Sequence, residues 1–481
     1  MFNTGILFEN EVKCLGGESH EVIDQHVTTA EQKGKHHGAK SKSFNKLDVI
    51  SDKAIPLQTE GIKRTPPLLE LGQSFFGPGP IPPGFKIPTG AMWQPRLTVF
   101  GQLRSAIQSF DNGRTSTISE WVSTLDIFAE VRLTGTERFL FGMFPLRQDA
   151  RFTGYNFEPD GKWKSATEGD LEIAFFEGEI GEIFPNLDPQ DTKPLDIQFS
   201  VGRQPILYQD GMLINDRFDS IGVAKDNIYV PGNGNMKLTA LYGFNKIDRN
   251  DNHQDSDAKL YGLFSKTDFY KRTVDVDLVY VTSNSRKEDG IVAAISSIQR
   301  IGQISTTIRA LTSQSFGDNT PQISDGTLLF FEGSWTPPRT ADLIYCDLYW
   351  AIDSFASAAR APETGGSLGR TGILHEAVGL GSYGSALINK AEEAVGVSIG
   401  YQKFFGYHKG KFYEPKRKQL ILELGVREGT DDNSDESAIA FGTRYQQAFG
   451  RRTVIRFDAF GALQNDNDQA WGGRLEFVIN F

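Results

Sequence analysis

The sequence predicts an all-β chain, a closed antiparallel transmembrane β-barrel of roughly 16–18 strands with 18 preferred. Three observations predict it. From about Arg96 onward apolar and polar residues alternate with period two, in runs separated by Gly, Asn, Asp or Pro. No stretch approaches the roughly 20 consecutive apolar residues of a membrane helix. The last alternating run continues unbroken to the final residue, Phe481.

The bulk numbers fit such a barrel and exclude other classes. Only 39 % of the 481 residues are hydrophobic and the mean hydropathy is −0.35. Barrel strands average out as polar because lipid-facing and lumen-facing residues alternate. The 50 glycines and 35 phenylalanines suit a sheet rich in turns and aromatics. A net charge of −11 argues against nucleic acid as a partner, because that requires a clustered basic surface. Cys14 and Cys346 lie far apart and make neither a disulfide framework nor a thiolate metal site.

Residues 1–92 are expected to be a polar segment and linker, largely disordered, with the barrel spanning 93–481. Residues 9–60 are charged and poor in aromatics, a composition that cannot bury a core. His20, His26, His36 and His37 match no standard ligand spacing, so a solvated tail is expected there and not a metal site. The stretch Phe75–Gly84 carries too many prolines for a helix or a central strand and reads as an extended linker. An exported barrel should start with a basic segment and about 7–15 apolar residues. Met1–Phe8 is too short for this and has no basic start. A misplaced start, an omitted leader and a non-standard export route all fit that.

The alternating runs centre near residues 102, 127, 141, 175, 199, 225, 240, 262, 278, 293, 308, 330, 346, 401, 422, 442, 457 and 475, the one near 225 being the weakest. The length left for each strand and its connection is roughly 21 residues, which suits membrane strands of about 9–11 residues. Leu97, Val99 and Leu103 oppose Arg96, Thr98, Gln102 and Arg104; Leu125, Ile127 and Val131 oppose Asp126, Glu130 and Arg132. Val274, Val276 and Leu278 oppose Asp275 and Asp277; Leu420, Leu422, Leu424 and Val426 oppose Gln419, Glu423 and Arg427. Leu475, Phe477, Ile479 and Phe481 oppose Arg474, Glu476 and Asn480. A soluble sandwich would alternate too. Inward charges of both signs tilt the choice to a wet lumen, as do the aromatics Trp121, Trp335, Tyr349, Trp350, Phe404, Phe405, Tyr407 and Trp471 near strand ends. The polar faces name Arg104, Glu130, Arg132, Asp275, Asp277, Glu423, Arg427, Arg456, Asp458, Arg474 and Glu476 as pore-lining.

Catalytic motifs are not found. His253, His375 and His408 are the histidines of the barrel region, and each reads as a solvated loop residue. Neither a Gly-x-Ser-x-Gly elbow nor a His-Glu-x-x-His run occurs. Asp251–Asp255 and Asp431–Glu436 lack the glycine and glutamate placement of a calcium loop and read as solvated acidic turns. The expectation is no enzyme activity, no cofactor and no metal.

The most distinctive stretch is Val201-Gly202-Arg203-Gln204-Pro205-Ile206-Leu207-Tyr208-Gln209-Asp210-Gly211. It resembles the Gly-Arg-Gln…Tyr…Asp-Gly motif of the alginate-export family of outer-membrane porins, and the strand Leu171–Glu177 resembles the one before that motif. The resemblance is sharp over about residues 170–225 and architectural elsewhere. It implies an 18-stranded monomer in the bacterial outer membrane, surrounded by lipid, that passes hydrophilic or saccharide solutes. It also implies that Arg203, Gln204, Tyr208 and Asp210 belong to the channel wall or its periplasmic side. A structural role fits these residues equally, with Arg203 paired to a wall carboxylate and Asp210-Gly211 turning the chain. The mixed inward charge leaves an anionic polysaccharide as one cargo among several. Phe481 resembles the terminal signal read by barrel-insertion machinery. The long segment 353–393 is either a loop that folds into or over the pore or a disordered outer loop. A barrel hydrolase and a plugged, non-conducting scaffold are the alternatives to a channel.

Overall fold

The computed structural model describes residues 65–73, 83–190, 192, 194–232, 234–284, 288–369, 371–405, 417–431, 436–465 and 467–481. Among these, eighteen strands close into one antiparallel barrel. In chain order they are β1 (Arg96–Asp111), β2 (Ile118–Arg132), β3 (Arg138–Met143), β4 (Leu171–Glu179), β5 (Ile197–Tyr208), β6 (Ile214–Val230), β7 (Gly234–Asn245), β8 (Lys259–Phe269) and β9 (Arg272–Thr282). The second half comprises β10 (Gly290–Ile301), β11 (Ile304–Ser315), β12 (Gly326–Trp335), β13 (Leu343–Ser354), β14 (Glu392–Phe405), β15 (Lys418–Gly429), β16 (Ala438–Phe449), β17 (Thr453–Gln464) and β18 (Ala470–Asn480). Every run expected from the sequence is one of these strands.

The first and last strands close the ring. β18 pairs with β1 from Trp471↔Asp111 to Asn480↔Gln102, and Phe481 continues the ladder through backbone bonds of 2.7 and 3.0 Å with Gly101. Closure satisfies backbone groups that a bilayer could not, which is why a sheet can cross one only as a barrel. The period of two then sorts the side chains. On β18, Arg474 and Glu476 are buried inside while Leu475, Phe477 and Ile479 are exposed outside. The same alternation repeats on β15, with Glu423 and Arg427 inside and Leu422 and Leu424 outside.

The two rims differ. One carries tight turns such as 270–271, 302–303 and 450–452, together with Phe481; the other carries longer connections, including 355–391. Outer-membrane barrels show the same asymmetry, with short turns on the periplasmic side. Exposed aromatics mark the outer wall near the ends, Trp163, Trp471 and Phe157 on the long-loop side and Tyr270 and Phe449 on the short-turn side. Tyr349 departs from the girdle expected for it. It lies on the inward face of β13 beside Asp347 and Ala351 and packs edge-on against His375.

His20, His26, His36, His37, Cys14, Tyr407, His408 and the 432–435 part of the second acidic turn lie outside the described residues, as do 1–64 and most of the proline-rich linker. Residues 65–73 and 83–92 lie at the short-turn rim. There Leu69–Leu71 pairs antiparallel with Leu97–Val99 of β1, and Asn186 of the β4–β5 connection bonds to the Thr89 and Pro88 carbonyls.

Candidate functional site in the barrel lumen

The lumen is crossed by two pieces of the chain. The first is the tip of the β5–β6 hairpin. β4 pairs with β5 only as far as Arg203, and β7 takes up β6 only from Asp219. Between these points residues 204–218 have only each other as wall partners, and they turn inward at Gly202. Its φ of +124° belongs to glycine. A Cβ there would also collide with the Ala174 carbonyl oxygen.

Inside, the hairpin is received by the far wall. The Tyr208 ring stacks on Phe264 with centroids 3.5 Å apart. Gln209 donates to Asp277 at 2.7 Å, and Asp210 pairs with Arg309. Ile206, Met212, Ile214 and Phe218 join Leu241, Leu260, Val279, Val281 and Leu328 in one buried apolar cluster. The long-loop half of the barrel interior along β7–β13 is therefore filled by apolar packing.

The second piece is the β13–β14 connection, residues 355–391. It runs parallel beside the hairpin, with Ile214↔Ala359 and Asn215↔Arg360 paired. It then crosses to the opposite wall. Glu423 of β15 accepts the Ile373 and Leu374 amides at 2.8–3.0 Å. Arg427 donates to the Lys390 carbonyl at 2.8 Å and pairs with Glu436 at 2.8 Å. Glu120 of β2 accepts the Ser382 amide at 2.7 Å, and Arg104 of β1 donates to the Val378 carbonyl at 3.1 Å. Of the two expectations for this segment, the structure shows the loop folded into the barrel.

Electrostatics inside the segment follow from its burial. Arg360 is fully buried and spends its donors on the carbonyls of Gly211, Gly365 and Thr364. Burial pushes this guanidinium down to about 9. Burial, with Arg427 close by, pushes the His375 imidazole down to about 3. For Glu363 burial acts to raise the carboxyl, but Arg217 and Arg147 outweigh it and hold it at about 2. Those two arginines approach Glu363 at 2.5 and 3.5 Å, and both lie over the Phe144 ring.

Between the crossing pieces and the wall of β1, β2, β16 and β17 remains a cavity of about 230 Å³. Arg104, Arg147, Arg217, Arg360, Arg444 and Arg456 line it against Asp126, Asp216, Glu363 and Glu376. The wall behind is a charged lattice. Arg104 and Arg456 pair with Glu476 at 2.6 and 3.0 Å, Arg444 pairs with Asp458 at 2.6 Å, and Arg474 bridges Asp458 and Glu476. Asp458 and Glu476, both buried, are thus each met by more than one guanidinium, which offsets the cost of burying their charge.

The residues named from sequence are dispersed by this arrangement. Arg104 and Arg456 line the cavity, with Asp458, Arg474 and Glu476 in the lattice behind it. Glu423 and Arg427 hold the crossing segment. Glu130 joins Arg132 and Arg138 at 2.6 and 3.1 Å on the inward face of β2 near the short-turn rim. Asp275 lies 3.4 Å from the Ser296 hydroxyl, and Asp277 receives Gln209. Gln204 donates to Ser220 at 2.9 Å. Tyr208 and Asp210 dock the hairpin, with a turn at Gln209–Gly211. Arg203 shares the face of β5 that bears the exposed Val201 and pairs with Asp219 at 2.9 Å. Arg147, Arg217, Arg360, Glu363, Glu376 and Arg444 were not singled out. Most lie in connections or beyond the bend, where alternation no longer reports the side a residue faces.

Comparison with solved structures finds this fold elsewhere. OccK1 (OpdK) of Pseudomonas aeruginosa matches at TM-score 0.54 and 12 % identity, covering 80 % of this chain and 98 % of that one. A structure of Pseudomonas aeruginosa OpdK with vanillate matches at TM-score 0.54 and 11 % identity, with the same coverage. A BenF-like porin from Pseudomonas fluorescens Pf-5 matches at TM-score 0.53 and 11 % identity, again over 80 % and 98 %. The chain has the fold of outer-membrane β-barrel porins. No family model matches it, and neither does any curated protein. The likeness to alginate-export porins rests on the motif around residues 170–225 alone.

Proposed function

We propose that this chain is a passive, non-catalytic channel of a bacterial outer membrane for small hydrophilic solutes, with anions favoured. The observation that carries this is the cavity left between the crossing pieces and the β1–β2–β16–β17 wall. It is polar, holds six arginines against four carboxylates, and at about 230 Å³ lies below the usual size of a ligand pocket. A surplus of guanidinium groups in a narrow, low-dielectric passage lowers the barrier for an anion and raises it for a cation. Export of an anionic polysaccharide, the finer reading suggested by the motif, requires residues 355–391 to leave the lumen. The hydrolase alternative has no accessible base in His375, which is fully buried and packed edge-on against Tyr349.

Swelling of liposomes carrying the purified protein tests the proposal. Small anionic solutes are expected to enter faster than cationic solutes of equal size, and oligosaccharides of four or more units (about the length that outgrows such a cavity) to be excluded. Swelling no faster than in protein-free liposomes would overturn it in favour of a plugged scaffold. Ester or peptide hydrolysis lost in His375→Ala would overturn it in favour of an enzyme.

A further inference from the structure

The short-turn rim is electrically lopsided. Among the described residues, the turns and strand ends from β8–β9 round to β16–β17 expose Lys271, Arg272, Arg300, Arg339, Lys403, Arg417, Arg451 and Arg452, against only Asp268 and Asp342 of opposite sign. None of them makes an ion pair with another described residue. The other arc of the same rim carries Glu137, Glu179, Glu182 and Asp196; of its lysines, Lys225 pairs with Asp196 at 3.9 Å and Lys237 with Asp226 at 3.4 Å, while Lys86 stands exposed. The basic arc therefore stands out in a chain whose net charge is −11.

Its position says what it meets. The wall directly above is apolar and outward-facing, with Ile301, Ile304, Ile308 and Phe449 all exposed. Aromatic rings lie at the boundary beside the charges. Tyr270 is 90 % exposed, with the Lys271 ammonium 6.0 Å from its ring centroid, and the Arg272 guanidinium lies 5.7 Å from that of Phe269. Aromatic rings paired with basic side chains, immediately below a lipid-facing wall, mark the depth of the headgroups.

We propose that this arc is a binding surface for the phosphate headgroups of anionic phospholipids, which collect on the β8–β17 side of the barrel and not on the acidic β2–β6 side. Basic residues at a membrane surface attract anionic lipid additively, and several acting together give a preference on the order of tenfold or more at low salt. The surface lies at the rim, away from the luminal cavity.

The test is native mass spectrometry of the full chain released from nanodiscs of equal phosphatidylglycerol and phosphatidylcholine. The wild type is expected to retain phosphatidylglycerol about tenfold over phosphatidylcholine, with the preference collapsing at high salt. The sixfold variant Lys271→Gln, Arg272→Gln, Arg300→Gln, Arg339→Gln, Arg451→Gln, Arg452→Gln is expected to retain both equally. Glu179→Gln with Glu182→Gln is expected to behave as wild type. If the sixfold variant does not fold, Lys271→Gln with Arg272→Gln and Arg300→Gln is read instead, with at least a threefold loss expected. Retention in proportion to supply by the wild type, or undiminished preference in the neutralised variant, would overturn the proposal.

Discussion

At the scale of single residues, the lumen depends on buried charges that hold backbone. Arg427 is fully buried, and its guanidinium joins Lys390 and Glu392 carbonyls to the Glu436 carboxylate. Removing one partner of such a set leaves the other uncompensated, at a cost of about 3–5 kcal/mol. Arg427→Met is accordingly expected to leave the barrel intact while abolishing hydrogen-exchange protection around residues 371–392. Protection equal to wild type would refute the role given to it. Gly202 is a second single point of failure. A side chain there meets both an unfavourable φ of +124° and the Ala174 carbonyl, so Gly202→Val should destabilise by more than about 1 kcal/mol. Its readout is a lower unfolding midpoint in detergent.

Two groups in the crossing segment make its packing sensitive to acid. His375 is held at about 3 against an ordinary 6.5, so the folded segment keeps it neutral. Above pH 6.5 that has no cost. As pH falls from 6.5 towards 3 the opened segment gains a proton that the closed one refuses, and closure weakens. Glu363, held at about 2 against 4.5, adds a loss in the same direction between pH 4.5 and 2. Hydrogen exchange across residues 362–391 is expected to rise relative to the β-strands as pH drops from 7 to 4, after correction for intrinsic rates. His375→Gln should flatten most of that change; a profile unchanged by the substitution would assign the effect elsewhere.

At the scale of elements, strand positions were legible in the sequence because membrane strands obey one simple rule of alternation. The run near residue 225 was the weakest signal, yet β6, Ile214–Val230, is a long strand. The reason is physical. Ile214 and Phe218 alternate on one face with Asp216 and Ser220, while Asn215, Arg217 and Asp219 occupy the other, so both faces of its first half carry polar residues and the alternation blurs. The inward bend was not legible as such. Its traces are Gly202 and the apolar residues on inward faces of neighbouring strands, Leu241, Leu260, Phe264, Val279 and Val281, which a water-filled lumen would not select. The segment 355–391 was marked by its length. Its destination depends on Glu423, Arg427, Glu120 and Arg104, partners far away in sequence that no local pattern names.

At the scale of the whole molecule, one closed sheet serves two interiors. Along the long-loop half of β7–β13 it encloses an apolar core built with the β5–β6 hairpin; along β14–β18 and β1–β2 it faces a charged lattice and a cavity. The class of the molecule could be read from the terminal strand and the alternation. The charge of the passage could not, because inward residues such as Asp275 and Asp277 dock or face the packed half while Arg147 and Arg217 reach the cavity from irregular chain. Single-channel recording in planar bilayers tests this arrangement most directly, comparing wild type with a chain in which residues 362–388 are replaced by a short Gly-Ser link. The wild type should give small, discrete, anion-favouring steps, and the shortened chain a conductance several-fold larger. No steps in the wild type at any salt, or equal conductance in both, would contradict a lumen narrowed by its own crossing segment.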